Sequence, residues 1–232
     1  RLGLPLSAKN RQMKHRKLII FLVLGMAFVA FLVGVNLYQS RVQSAQELQV
    51  AGQAERLVRM HSPVIGPREA PVTIVEFFDP ACESCRMMYP YVKSLMRAND
   101  GKVRLTLRYA TFHEGSDYVV KVLEAARMQG QDMYWKSLEA ILANQATWAE
   151  HGRPNPQLVW DYLGGIGLDI QKAKQDMNDA RIADLLKQDA KDLATLKVNK
   201  TPSFFINGKP LKEFGPNGLR AQVENEIGSL YQ

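Results

Sequence analysis

Short apolar runs alternate along the sequence with longer segments in which apolar residues recur every three or four positions. The run Val72–Phe78 is rich in β-branched and aromatic residues and is too short for a helix, so it predicts a buried strand. Lys102–Tyr109 alternates polar and apolar residues, which predicts a second strand with one covered face. Between the two, Arg86–Asn99 has helical spacing, and we expect Pro90 to kink that helix.

From Ser116 to Leu196 the pattern becomes helical and predicts a block of about four helices. Strand character returns at Pro202–Ile206, where Asn207-Gly208 is the signal of a hairpin. A last helix is predicted over 217–231. This order of elements predicts an α/β domain with an inserted helical subdomain over about 116–197.

A predominantly apolar stretch covers residues 18–38, and no charged residue lies between Lys17 and Arg41. About 20 apolar residues match the hydrocarbon thickness of a bilayer. A cleaved signal peptide usually has an apolar core of only about 7–15 residues followed by a small-residue cleavage site, and no such site is evident here. We therefore expect one retained N-terminal transmembrane helix.

The net charge of +7 is concentrated in residues 1–17, which contain six Lys or Arg residues and no acid. The rest of the sequence is close to neutral and has no basic stripe, so nucleic acid is not an expected partner. Because positive segments stay in the cytoplasm, we expect 1–17 to be cytoplasmic and everything after Tyr38 to lie outside the bacterial inner membrane. The periplasm, or an equivalent extracytoplasmic space, is an oxidising compartment.

Residues 39–61 are polar and rich in Gln, Ala and Glu, which predicts a stalk or linker. An oligomerising helix that makes a homo-oligomer is the alternative, although no heptad pattern is sustained. His61–Pro67 then contains two prolines and a glycine, which break a helix. We expect the domain boundary there and the domain itself over 62–232.

The two cysteines of the sequence, Cys82 and Cys85, directly follow the first predicted strand. At positions i and i+3 of a helix they lie on one face, close enough to form a disulfide. The helix N-terminus stabilises a thiolate, which predicts Cys82 as the nucleophile and the more buried Cys85 as the resolving thiol. Glu83 lies between them and opposes the thiolate, so we expect a moderately lowered pKa for Cys82.

A purely structural disulfide is one alternative, but it closes so small a loop that it constrains little. A metal site is another, but structural zinc takes four ligands, and His61, His113 and His151 have no ligand-like spacing. Met87-Met88 is compatible with a copper site, although methionines at helical spacing are more typical of a core. We do not select His113 or Trp148 as site residues, and no metal is expected.

The stretch Phe77–Cys85 resembles the active site of the thioredoxin-fold oxidoreductases of the DsbA type. Glu76 stands where that family often places a buried acid, and Pro90 matches its helix-kinking proline. Thr201-Pro202 matches its cis-proline loop, and the helical block falls where these proteins insert a helical subdomain. The resemblance extends over residues 62–232.

This resemblance implies a thioredoxin fold and thiol–disulfide exchange with protein substrates. It implies that Glu76 relays protons to the resolving thiol and that Thr201 and Pro202 shape the substrate groove. No cofactor is expected, because the cysteines carry the electrons. The expected partners are cysteine-containing extracytoplasmic proteins and a membrane redox partner, DsbB-like or DsbD-like.

The direction of electron flow stays open between two hypotheses. Glu83-Ser84 differs from the Pro-His pair of the strongly oxidising members, so these two residues are expected to tune the site. Thr201 before the proline resembles the reductase and isomerase branches. An oxidase is slightly favoured, and the alternatives are a reductase or isomerase kept reduced by a membrane donor, or a redox-inert chaperone or metal-binding module.

Overall fold

The structure is a computed structural model, and it describes residues 26, 31, 33–39, 41 and 52–231. The chain divides into two compact units, Arg1–Gly52 and Gln53–Gln232. In the first unit, residues 33–39 are helical. Within the described ranges, no helix combines the length and the apolar character needed to cross a membrane. The basic segment 1–17, most of the predicted span 18–38 and part of the predicted stalk lie outside the described residues.

One mixed sheet forms the centre of the second unit, and the order of its described strands is β1-β3-β2-β4-β5. Strands β2 and β3 are parallel, whereas the other neighbouring pairs are antiparallel. The strands are β1 (Val64–Ile65), β2 (Val72–Phe78), β3 (Val103–Tyr109), β4 (Ser203–Ile206) and β5 (Lys209–Pro210). The predicted strands and the hairpin are therefore present, and β2 has the bounds that its sequence predicts.

Strand β1 is the one described strand that the sequence pattern did not predict. It has two residues, and Val64 pairs with Thr106 of β3. A strand of two residues is too short to show a periodic pattern in the sequence. It forms because the edge of β3 offers backbone groups for pairing.

The helical insertion lies between β3 and β4, as the sequence predicts, and begins at Ser116. The α-helices are α1 (Glu83–Ala98), α2 (Ser116–Arg127), α3 (Gln131–Ala143), α4 (Gln145–Trp148), α5 (Val159–Leu163), α6 (Ile170–Asp176), α7 (Ala180–Leu196) and α8 (Pro216–Gly228). Helix α1 begins before the predicted Arg86, and Pro90 lies inside it. The single turn α4 was not predicted as a separate helix.

The two faces of the sheet pack against different helices. Val72, Ile74 and Phe78 of β2 belong to a large apolar cluster that includes residues of α1, α2 and α8. Val75 and Phe77 belong to a smaller cluster that includes residues of α7. Because side chains alternate along a strand, Glu76 lies on the face of the large cluster, which also contains both cysteines.

The second unit begins earlier than the boundary at His61–Pro67 that we expected. Residues 52–57 are helical, and Leu57 is buried in the smaller cluster. Arg59 then donates from Nε to Asp192 of α7 at 2.8 Å. Because Leu57 buries its side chain and Arg59 pairs with α7, residues 53–61 pack as part of the domain.

Candidate active site

The end of β2 and the start of α1 place Cys82 at the N-cap of α1. Its backbone is extended there, with φ −74° and ψ 119°, and its carbonyl accepts the first helical hydrogen bond from the Arg86 N–H at 3.1 Å. The Cys82 N–H donates to the Asp79 carbonyl at 3.0 Å, which closes a tight turn before the helix. The first free N–H groups of α1 therefore point toward the Cys82 side chain.

Cys82 and Cys85 are both free thiols, and their acidities differ strongly. A hydrogen bond with Cys85 is the largest cause that lowers the pKa of Cys82 to about 5. Burial opposes this shift, while interactions with the Thr201 side chain and with the backbone N–H groups of Cys85 and Ser84 add to it. The pKa of Cys82 is lowered, as expected. It is lowered further than the moderate shift that we predicted because of Glu83.

Burial raises the pKa of Cys85 well above its usual range, and its hydrogen bond to Cys82 and the charge of Glu76 raise it further. Cys85 is fully buried, whereas 6% of Cys82 is exposed. The Cys85 sulfur accepts a hydrogen bond from the Asp79 N–H at 3.5 Å. At neutral pH the pair therefore holds one thiolate, on the sulfur that solvent can reach, and one thiol.

Glu76 is fully buried in β2, and neither carboxylate oxygen has a hydrogen-bond partner among the described residues. Burial raises the pKa of Glu76 well above its usual value, and the nearby charge of Cys82 adds to the rise. The carboxyl group therefore keeps a proton at a pH where an exposed glutamate is ionised.

The loop before β4 faces Cys82 from the other side. The Thr201–Pro202 peptide bond is cis, Pro202 is buried and Thr201 is half-buried. The Cys82 Sγ lies 3.4 Å from the Thr201 carbonyl oxygen, to which the protonated thiol donates. The structure therefore brings Thr201 and Pro202 next to the CxxC pair, 119 residues away in the sequence.

The two residues between the cysteines point outward. Glu83 is exposed, and its Oε1 lies 3.7 Å from Nε2 of His151, which is also exposed. Ser84 is half-buried. Because solvent surrounds the Glu83 carboxylate, its charge is screened at the Cys82 sulfur, and it does not prevent the low pKa of Cys82.

Asp79 is a buried residue of the site that the sequence analysis missed. One oxygen of its carboxylate accepts from the Ala81 N–H at 2.9 Å and from the Ser116 hydroxyl. The other accepts from the Phe112 and His113 N–H groups at 2.8 and 3.0 Å and lies 2.8 Å from Nδ1 of His113. Asp79 therefore joins the CxxC loop to the loop that follows β3, and His113 lies closer to the site than expected.

Gln145 of α4 is a second residue that was missed. Its side chain is buried, and Nε2 donates to the carbonyls of Pro80 and Cys82 at 2.7 and 3.0 Å. Oε1 accepts from Nε of Arg86 at 2.9 Å. No sequence signal marks this glutamine, because its partners lie more than 50 residues away in the chain.

Metal binding finds no support in the part of the chain that the structure describes. There, no three His, Cys, Asp or Glu side chains stand close enough together to hold a metal ion. The nearest candidate ligands contact each other in pairs, as Asp79 does with His113.

A family model described as Thioredoxin matches residues 59–225. The Na(+)/H(+) antiporter NhaA 1 of Salinispora arenicola is 31% identical over 147 residues, which are 63% of this chain and 22% of the antiporter. Disulfide bond formation protein D of Bacillus subtilis is 24% identical over 180 residues, covering 71% of this chain and 77% of that protein. The chain therefore spans less than a quarter of the length of its antiporter relative.

The fold is also similar to that of a solved thioredoxin-like oxidoreductase from Silicibacter pomeroyi DSS-3. The TM-score is 0.63 and the sequence identity 28%, over 76% of this chain and 96% of the other. The family match covers the sheet, the CxxC pair and the helical insertion together. The chain therefore belongs to the thioredoxin family.

Proposed function

We propose that the chain oxidises protein cysteines outside the cytoplasm by thiol–disulfide exchange at Cys82 and Cys85. The observation that carries the proposal is the pair of thiols at the N-terminus of α1, with the pKa of Cys82 lowered to about 5 and that of Cys85 raised. Cys82 is thereby the thiolate and Cys85 the thiol, and thiol–disulfide exchange requires one of each.

In the proposed reaction a substrate thiolate attacks Sγ of Cys82 in the oxidised pair. The Cys82–Cys85 bond breaks, and its electron pair leaves on the Cys85 sulfur, which takes up a proton. A second substrate thiolate then attacks the substrate sulfur of the mixed disulfide and displaces Cys82 as a thiolate. The substrate loses two electrons, and the pair gains them.

The acid–base properties of the site support each half of this reaction. Cys85 is a poor leaving group as a thiolate because burial raises its pKa, and Glu76 holds a proton that it can deliver. Cys82 is a good leaving group because its pKa is low. The loop Thr201-Pro202 lies against the sulfur that the substrate attacks, which suits it to shape the substrate groove.

The low pKa of Cys82 favours the oxidase over the reductase. A stabilised thiolate stabilises the reduced pair, which makes the disulfide a stronger oxidant. A reductase or isomerase is the second candidate, and the observation in its favour is the threonine before the cis-proline.

We propose in addition that residues 18–38 anchor the domain in the bacterial inner membrane, with residues 1–17 on the cytoplasmic side. The apolar stretch and the six cationic residues before it support this orientation. The domain then acts on extracytoplasmic proteins, and a DsbB-like membrane partner reoxidises it. Residues 39–52, the part of the predicted stalk 39–61 that precedes the domain, are the segment through which we propose that copies of the chain associate.

The test is oxidation of a reduced, unfolded protein that has one native disulfide, with glutathione disulfide as the final oxidant. We expect the wild type to turn over and the variant Cys82→Ser to fall to the uncatalysed rate. Cys85→Ser cannot form the intramolecular disulfide, so we expect it to turn over more slowly and to accumulate the mixed disulfide of Cys82 with glutathione. Retained activity of Cys82→Ser in preventing aggregation, with no turnover by the wild type, would instead identify a redox-inert binding module.

The direction is decided by the reduction potential of the Cys82–Cys85 pair, measured against glutathione. An oxidase is expected nearer to the value of DsbA, about −120 mV, than to that of thioredoxin, about −270 mV. A value near that of thioredoxin assigns the chain to the reductases.

A further inference from the structure

The helical insertion contacts the backbone of the nucleophilic cysteine through one side chain. Gln145, 1% exposed, lies in α4 and reaches the loop that contains Cys82. Its Nε2 donates to the Cys82 carbonyl at 3.0 Å and to the Pro80 carbonyl at 2.7 Å. These two bonds join α4 to the end of the turn from which α1 begins.

The orientation of the Gln145 amide follows from its partners. Nε of Arg86 can only donate, so the atom that faces it at 2.9 Å has to be the oxygen. The amide nitrogen then faces two carbonyls, which can only accept. All three contacts are satisfied with one orientation of the amide, and flipping it breaks all three.

The contact fixes the peptide group that begins the first turn of α1. The Cys82 carbonyl also accepts the Arg86 N–H at 3.1 Å, so a side-chain donor and a backbone donor hold it together. The following N–H groups, those of Cys85 and Ser84, lie in the first turn of α1 and help to lower the pKa of Cys82. Rotating the Cys82 carbonyl tilts this turn and moves those N–H groups away from the sulfur.

We propose that Gln145 is a positioning residue, which holds the Cys82 carbonyl so that the first N–H groups of α1 stay aimed at the Cys82 sulfur. The helical insertion thereby acts on the chemistry of the CxxC pair, and among its described side chains Gln145 alone donates hydrogen bonds to the carbonyls of Pro80 and Cys82. The inference deepens the proposed function, because it assigns a residue that tunes the same site.

The variants Gln145→Met and Gln145→Asn test the proposal in the full chain. Methionine keeps the length of the side chain without a donor, and asparagine keeps the amide but is one methylene shorter. Both are uncharged, so neither adds a Coulomb effect at Cys82. The matched control is Trp148→Phe, which removes a buried hydrogen bond of the same helix, from Nε1 to the Ile141 carbonyl at 3.1 Å.

Two measurements distinguish a positioning role of Gln145 from a packing role. Titration of the thiolate absorbance is expected to show the pKa of Cys82 raised by about one in both Gln145 variants, a tenfold loss of thiolate below that pKa. The equilibrium constant with glutathione is expected to shift about tenfold toward the disulfide form, which is about 30 mV more negative. Trp148→Phe is expected to leave both quantities unchanged and to lower only the denaturant midpoint.

An unchanged pKa of Cys82 in the folded Gln145 variants would overturn the proposal and leave Gln145 a packing residue. If Gln145→Met does not fold, Gln145→Asn decides by the same titration. An equal shift in Trp148→Phe would also overturn it, since a general loosening of α4 would then be the cause. Absence of turnover in the wild type refutes the proposed function, while the titration still decides the role of Gln145.

Discussion

Glu76 shows how much folding free energy one buried polar side chain can cost. The fold buries the whole side chain and gives its two oxygens no partner among the described residues. A buried polar group without a hydrogen bond lowers stability by about 1–3 kcal/mol. Proton transfer to Cys85, the role that we propose for Glu76, accounts for a carboxyl group in such a place.

We predict that Glu76→Leu stabilises the reduced protein by about 1–3 kcal/mol at neutral pH and slows exchange by about a hundredfold. Because the pKa of Glu76 is raised from its usual 4.5, its proton contributes stability that is complete below pH 4.5 and is lost as the pH rises through the folded-state pKa. In urea unfolding, the gain of the variant over the wild type should therefore grow as the pH rises from 4.5 to the folded-state pKa, and it should level off above that pKa.

The control for this prediction is Glu83→Leu, because Glu83 is exposed. Its free energy of unfolding should change by no more than about 0.5 kcal/mol, with no added pH dependence. A Glu76→Leu variant that is less stable than the wild type at every pH would contradict the prediction.

Two loops are held together by the carboxylate of Asp79. It accepts hydrogen bonds from the loop between β2 and α1 and from the loop between β3 and α2, so the CxxC turn and residues 112–116 form one unit. The Asp79 carboxylate thus supplies an acceptor for the His113 N–H and shares the Phe112 N–H with the Ala110 carbonyl, which lies 2.9 Å away.

We predict that Asp79→Asn lowers the free energy of unfolding by about 2–4 kcal/mol, because one amide cannot accept all these bonds and leaves buried donors unpaired. Urea unfolding measures the loss, and hydrogen exchange at the amides of Phe112 and His113 should become faster. Asp117→Asn is the matched control, since Asp117 is exposed and pairs with Lys121 at the surface. Equal effects of the two substitutions would count against this role of Asp79.

A buried cluster of charged residues connects parts of the domain on the face of the sheet that packs against α7. Arg108 of β3 is fully buried and donates from Nη2 to Asp189 at 2.7 Å and to Asp192 at 2.8 Å. Asp189 also accepts from the Tyr109 N–H at 2.8 Å and lies 2.8 Å from Nε2 of His61. The cluster therefore connects the sheet, α7 and the segment that precedes β1.

Asp189→Asn should destabilise the protein by about 3 kcal/mol, because it leaves the Arg108 charge buried with only one carboxylate. Asp184→Asn on the same helix is the control: Asp184 is exposed, its ion pair with Lys187 lies at the surface, and a change within about 0.5 kcal/mol is expected. Chemical denaturation of both variants is the measurement, and a loss for Asp189→Asn no larger than for Asp184→Asn would show that the cluster is not structural.

Local sequence alone predicted much of the architecture, since the relevant signals lie within a few residues of each other. The β-branched run of β2, the helical period of the insertion and the Asn207-Gly208 turn each specify an element by themselves, and all three are present. The spacing of Cys82 and Cys85 after a strand likewise predicted two cysteines in the first turn of a helix, and they lie there.

Only the tertiary structure decided which polar side chains surround that pair. Asp79 hydrogen-bonds to His113, which is 34 residues away in the sequence, and Gln145 hydrogen-bonds to Cys82, which is 63 residues away. The period of apolar residues shows which face of a helix or strand is buried. It does not show which buried hydrogen-bond donor pairs with which acceptor. The sequence therefore determined the fold class and the two sulfurs, whereas the packing of distant elements decided how acidic each sulfur is.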